Sequence, residues 1–158
     1  MPRALLPPLP LQQQRVAALL LQGCSNAQIS EYASLAPATV TSYVKGIRQH
    51  VSAPPRCSRG VLAHLLLAAG FLTPPEPPVP GITLTRDEQL LVHAIARYSK
   101  PLDQRAAFPD TSRRAFRERI VALMAKVGAR DQGHLVAIVH ALGQHEAAAA
   151  GNVRAAPN

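Results

Sequence analysis

Apolar residues recur along this chain at steps of three and four. Val40, Val44, Ile47 and Val51 mark one face of a helix. Phe116, Ile120, Leu123 and Val127 repeat the same steps, displaced by 76 residues. At a displacement of 75, Leu9-Pro10 corresponds to Leu84-Thr85, and Val16 and Leu20 to Leu91 and Ile95. VLAHLLLAAG (61–70) likewise resembles HLVAIVHALG (134–143). A period this long signals a duplicated domain rather than a solenoid unit. Between the two flanks, residues 73–80 read TPPEPPVP, with five prolines in eight positions. Such a run favours polyproline II, at about 3.1 Å per residue a semi-rigid spacer of roughly 25 Å. The expected organisation is a disordered N-terminus (1–8), a first domain (9–72), the linker (73–81), a second domain (82–143) and an Ala-rich tail (144–158). The tail should extend the last helix by a turn or two before fraying.

Punctuation divides each flank into four helices: about 10–22, 26–33, 37–51 and 58–70, then about 85–97, 101–108, 112–127 and 132–142. Ser25 with Gln28 three residues on makes a capping box. Pro37 suits a first helical turn, after Leu35 or Ala36. Ser112, or Asp110 upstream, can cap the long helix of the second flank, and Gly23, Gly70 and Gly128 stand where left-handed C′ residues belong. No stretch alternates with the period of a strand, so the expected fold is all-α.

The short helix 26–33, the turn 34–36 and the long helix 37–51 read as a helix-turn-helix, a unit that presents its long helix to the major groove. With the valine–isoleucine stripe inward, Thr41, Ser42, Lys45 and Arg48 or Gln49 face outward, and none is acidic. Lys45 can reach a guanine edge or a phosphate. In the second flank, helix 112–127 carries Arg113, Arg114, Arg117, Arg119 and Lys126 against one acid, Glu118. Cations at a helix N-terminus oppose the macrodipole, a placement that phosphates docked there would relieve.

Composition adds to this picture. The 158 residues carry a formal charge of +8, which suits a polyanion, nucleic acid first and an anionic membrane surface second, though it also serves solubility. Aromatics are only 4% and Trp is absent, so the core must be built of Leu, Val, Ile and Ala. No run approaches the ~18–20 apolar residues of a bilayer span. The prolines of MPRALLPPLP break up any signal peptide, so a cytoplasmic, nucleoid-associated location is expected. Cys24 and Cys57 form no CxxC pair, and Cys24 should pack as a small apolar group. Of the six histidines, His50, His64, His93, His134, His140 and His145, only the last two are near in sequence, at the wrong helical offset for a shared ligand. Neither a metal nor another cofactor is expected. There is no Gly-rich phosphate loop, no G-x-S-x-G and no paired carboxylates; Asp87-Glu88 and Asp103 look like solvated helix starts. Catalysis is not expected.

The run QGCSNAQISE (22–31) followed by LAPATVTSYVKGI (35–47) resembles the LuxR-type, GerE-like helix-turn-helix domain of response regulators and quorum sensors, over most of residues 9–72. The resemblance implies that Thr41, Ser42 and Lys45 read bases while Thr39 and Tyr43 hold the sugar-phosphate backbone. Departures are Gln13 for the acidic residue that opens the first helix, Pro37 for a charged residue, Cys24 for Leu, and a longer loop at Ala53–Arg56. The second flank is a degenerate relative. LTRDE (84–88) and LMAKVGAR (123–130) match the family, but Tyr98-Ser99-Lys100-Pro101 replaces its turn, and the aligned reading positions become Arg117, Glu118 and Val121.

Family members pair through the fourth helix, placing two reading helices in successive major grooves about 34–36 Å apart. A covalent tandem offers this in one chain. The expected function is a DNA-binding transcriptional regulator without a sensor domain, using helices 37–51 and 112–127. Its partner is double-stranded DNA, and its contacts are Thr39, Thr41, Ser42, Tyr43, Lys45, Arg48, Arg113, Arg114, Arg117 and Arg119. The alternative is a protein-interaction module that forms a homodimer or grips RNA polymerase or another regulator. Its face would be the altered second turn and the apolar helices 61–69 and 135–142.

Overall fold

A computed structural model describes the backbone of residues 6–154 and the side chains of residues 6–143. Eight helices and no strand occur among the described residues: α1 (Leu11–Leu21), α2 (Asn26–Ala33), α3 (Pro37–His50), α4 (Arg59–Ala68), α5 (Arg86–Arg97), α6 (Pro101–Arg105), α7 (Arg113–Val127) and α8 (Gln132–Arg154). The ends fall where local chemistry puts them. Ser25 accepts from the Gln28 amide while Gln28 Oε1 accepts from the Ser25 amide, a complete capping box. Thr85 and Glu88 make a second, and Ser58 and Ser112 each cap with one hydroxyl. α8 runs well past the expected end through the alanine-rich segment, a residue type with the highest helix propensity. Residues 1–5 and 155–158 lie outside the described backbone.

α6 departs from expectation. It stops at Arg105 instead of Phe108, because Pro109 biases Phe108 away from helical ψ. The connector to α7 therefore spans residues 106–112, whereas α2 and α3 are joined by Ser34–Ala36 alone. Ser34 makes that short turn in the left-handed region (φ 54°), and Leu35 donates back to the Ser30 carbonyl. As a result α3 packs on both α1 and α2, whereas α7 leans on α8 and stands off from α5 and α6. Phe108 holds the long connector down by its ring, 5.7 Å from that of Phe116.

The two halves are not held apart by the proline run. One continuous hydrophobic core takes in Val16, Ile29, Val40 and Ile47 from the first half and Ile95, Phe116, Val127 and Ile138 from the second. α4 packs on both α8 and α5, and α1 meets α8. Under the sequence repeat α1 corresponds to α5 and α4 to α8, so the α4–α5 and α8–α1 contacts are equivalents and α4–α8 is its own equivalent. That is the pattern of an isologous dimer interface, here closed within one chain. The segment 73–80 has no regular structure, with Pro74, Pro75 and Pro77 half-buried and Pro78 and Val79 beside Gly128 at the end of α7.

Two glycines permit the join. A β-carbon on Gly60 would sit 2.9 Å from the Ile95 carbonyl oxygen, so α4 starts directly on the end of α5. Gly23, at φ +80°, ends α1 where a β-carbon would lie 2.7 Å from Arg130 Cβ. Between these crossings Arg59 donates to the Cys24 carbonyl, to Asn26 Oδ1 (2.9 Å) and to Asp131 Oδ2 (3.2 Å), tying α4, the α1–α2 loop and the start of α8 together. Residues 61–69 and 135–142, considered above as a free docking face, are largely used up by this join.

Candidate nucleic-acid interface

α3 is strongly amphipathic. Val40, Val44 and Ile47 are shielded, and Thr41, Ser42 and Lys45 on the opposite face are open to solvent. Pro37 at the first helical position removes an amide that would have lacked a partner. Thr41 donates its hydroxyl proton to the Pro37 carbonyl (3.1 Å), which leaves the oxygen free to accept. Thr39 and Tyr43 are half-buried on the flanks of this face. The face thus combines a small hydroxyl pair with one flexible cation and no carboxylate.

Arg48 does not join it. Its guanidinium turns under the helix end, donates to the Cys57 carbonyl (3.3 Å) and has a buried Nε without a partner. The long 53–57 loop folds beneath α3 and captures the side chain, so Arg48 supports the helix instead of reaching a ligand. Cys24 and Cys57 are both buried as free thiols.

α7 presents Arg113, Arg114, Arg117 and Arg119, all exposed, around its first two turns, while Phe116, Ile120, Leu123 and Val127 face inward. Arg114 pairs with Glu118 one turn on (3.0 Å), both well exposed, a contact that competes poorly with water. Lys126 is not available to a ligand. It bridges to Glu88 (2.8 Å) and donates to the Thr83 carbonyl (3.2 Å). Glu88 is accordingly no solvated helix start: its hydrogen bond from Lys126 holds its carboxyl below the usual range. Because α7 stands off from α5 and α6, clefts open on either side. One, of about 320 Å3, lies towards α5 with Arg119 at its edge, and one of about 430 Å3 lies towards α6 with Arg113 and Arg117 on its lining.

The two outward faces differ in kind. The first is hydroxyl-rich with a single lysine on a tightly braced helix; the second is arginine-rich on a loosely braced one. The α4–α8 seam joins the two halves. At its centre His64 Nδ1 lies 3.0 Å from His140 Nε2. The two residues are 76 apart in sequence and meet only because α4 packs on α8. Spacing along one helix could not find this pair, because the two rings come from different helices. Burial first, and then the neighbouring His93, push the His64 pKa down, and burial followed by His64 does the same to His140. His134 is also lowered, chiefly by burial, and its Nδ1 accepts from the Arg130 amide (3.1 Å). The side chain of His145 lies outside the described ones. No group of three or more His, Cys, Asp or Glu among the described residues is placed to hold a metal ion, and no helix among them is long and apolar enough to cross a membrane. Neither a protein family model, nor a curated protein, nor a solved structure matches the chain.

Proposed function

We propose that the protein binds double-stranded DNA and regulates transcription as a tandem of two LuxR-type helix-turn-helix units, the second degenerate. One observation carries the reading. α3 buries its entire apolar stripe and leaves Thr41, Ser42 and Lys45 outward, a narrow, carboxylate-free strip on a rigidly braced helix. Small hydroxyl side chains allow close approach to base edges, and Lys45 reaches an acceptor in the major groove or a phosphate. Thr39 and Tyr43, on the flanks, suit backbone contacts that fix register. The α7 arginines add sequence-independent attraction. With the seam joining both halves, the second binds at high effective concentration once the first has docked. The two faces differ, so the preferred site is asymmetric.

Duplexes retained from a random pool supply the probe. On the best of them Lys45→Ala lowers affinity by about 1–3 kcal/mol and relaxes specificity at one position. Replacing Arg113 and Arg114 by Ala weakens all duplexes alike and flattens the slope of log affinity against log salt by about one unit for each phosphate no longer neutralised. Equal effects of the two changes on matched and unmatched duplexes overturn this division of labour.

A further inference from the structure

We infer that the cleft between α6 and α7 is a docking site for an acidic amphipathic helix of a partner protein. In the first half the corresponding space is filled, because α2 packs on α3. In the second half the long connector draws α6 aside and leaves a cleft of about 430 Å3. Its floor is apolar, with Phe116 and Ile120, and its lip is Leu102, 66% exposed. Arg105, Arg113 and Arg117 line it too, and no carboxylate does. An apolar slot rimmed by guanidinium groups matches a helix that offers leucine or phenylalanine at i and i+4 with carboxylates beside them. A duplex backbone would use the arginines but has nothing to bury against Leu102, so the apolar lip favours a peptide over a nucleic acid.

Arg113 and Arg117 also belong to the arginine face assigned above to DNA. A docked acidic helix would therefore neutralise part of that face and lower the affinity of the second half for a duplex. The docking does not depend on the DNA reading; only this competition does.

The test is selection of random dodecapeptides displayed on phage against the immobilised full-length chain. The expected result is enrichment of acidic sequences with large apolar residues at i, i+4 spacing. Affinity for the best synthetic peptide, read by fluorescence anisotropy, should fall about tenfold in Leu102→Ser and in Arg117→Gln and stay unchanged in Arg86→Gln, an exposed cation outside the cleft. Leu102 is a surface residue, and circular dichroism of the variant confirms the fold. No acidic amphipathic enrichment, or peptides that bind Leu102→Ser as well as the parent, overturns the docking site. Duplex retention as sensitive to Leu102→Ser as peptide binding overturns it as well, by making the cleft part of a nucleic-acid site. If the peptide docks and no duplex is retained by any variant, the DNA reading has failed and the docking site stands. If both bind and excess peptide leaves duplex retention unaltered, the competition is wrong.

Discussion

At the scale of single residues, the cations of this chain divide by what they touch. Lys45, Arg113 and Arg117 are exposed without an ion-pair partner among the described residues, whereas Arg59, Arg48 and Lys126 hold the molecule together. Arg59 donates to three acceptors, two at the α1–α2 junction and one at the start of α8, so its removal leaves the Cys24 carbonyl and Asp131 short of partners. Arg59→Ala should lower stability by about 1–3 kcal/mol in urea titration. Arg114→Ala, which breaks only an exposed i,i+4 pair, should cost no more than about 0.5 kcal/mol. Equal losses from the two would contradict the clamp. Arg48 shows where residue-level reading fails. Its position in the helical period puts it near the outward face, but the fate of its long side chain is decided by a loop nine residues away. Lys126 and Glu88 fail for the same reason, being 38 residues apart.

At the scale of elements, helix ends were legible because they are set locally. Serine and threonine caps, Pro37 and the left-handed glycines mark them within a residue or two. There are two exceptions: α6, which had its signal in Pro109, a residue that acts one position ahead of itself, and α8, which runs on to Arg154 through alanines that carry no stop signal. The packing of α4 against its partners was not legible, because an apolar helix reads alike whether it faces its own half or the other. Gly60 tests that packing. Alanine normally gains about 1 kcal/mol over glycine inside a helix. Here the added carbon meets the Ile95 backbone at 2.9 Å, so Gly60→Ala should instead destabilise by about 1–3 kcal/mol in the same urea assay. A stabilised variant would show that α4 can move off α5 freely.

The histidine pair ties the same seam to pH. A neutral pair can share one proton in the 3.0 Å contact; two imidazolium rings have no acceptor between them and repel. The folded-state pKa values of His64, His140 and His134 all lie below the ordinary 6.5. In the window between 6.5 and those lowered values the unfolded chain binds more protons, so stability should fall as pH is lowered through it. The groups that face the pair include His93 on α5, another base that cannot relieve the repulsion. His64→Gln with His140→Gln should flatten this part of the stability–pH profile, although His134 retains its share. A profile of the same slope in the double variant would place the pH dependence elsewhere. Glu88 acts in the lower range: its lowered pKa contributes stability that is lost as pH falls below about 4.5.

At the scale of the whole molecule, the repeat in the sequence predicts two similar halves, and the proline run predicts two separate bodies. The structure has one body with one core. The reason is physical: each half has a fourth helix that is apolar over most of its surface and cannot be satisfied by its own three neighbours. α4 and α8 satisfy each other. Unfolding should therefore be a single cooperative transition. Leu66→Ala, at a side chain fully buried in α4, should lower stability by about 2–5 kcal/mol and shift that transition without splitting it. Two resolved transitions would mean that the halves are independent.

If α3 reads a duplex from the braced first half while the second half adds attraction from the other side of the seam, selecting duplexes from a random pool with the full-length chain at moderate salt will reveal it. One asymmetric site should be enriched, and its specific positions should lose their preference in Lys45→Ala. Retained duplexes no different in sequence from the starting pool, or an enriched site indifferent to Thr41, Ser42 and Lys45, would contradict it.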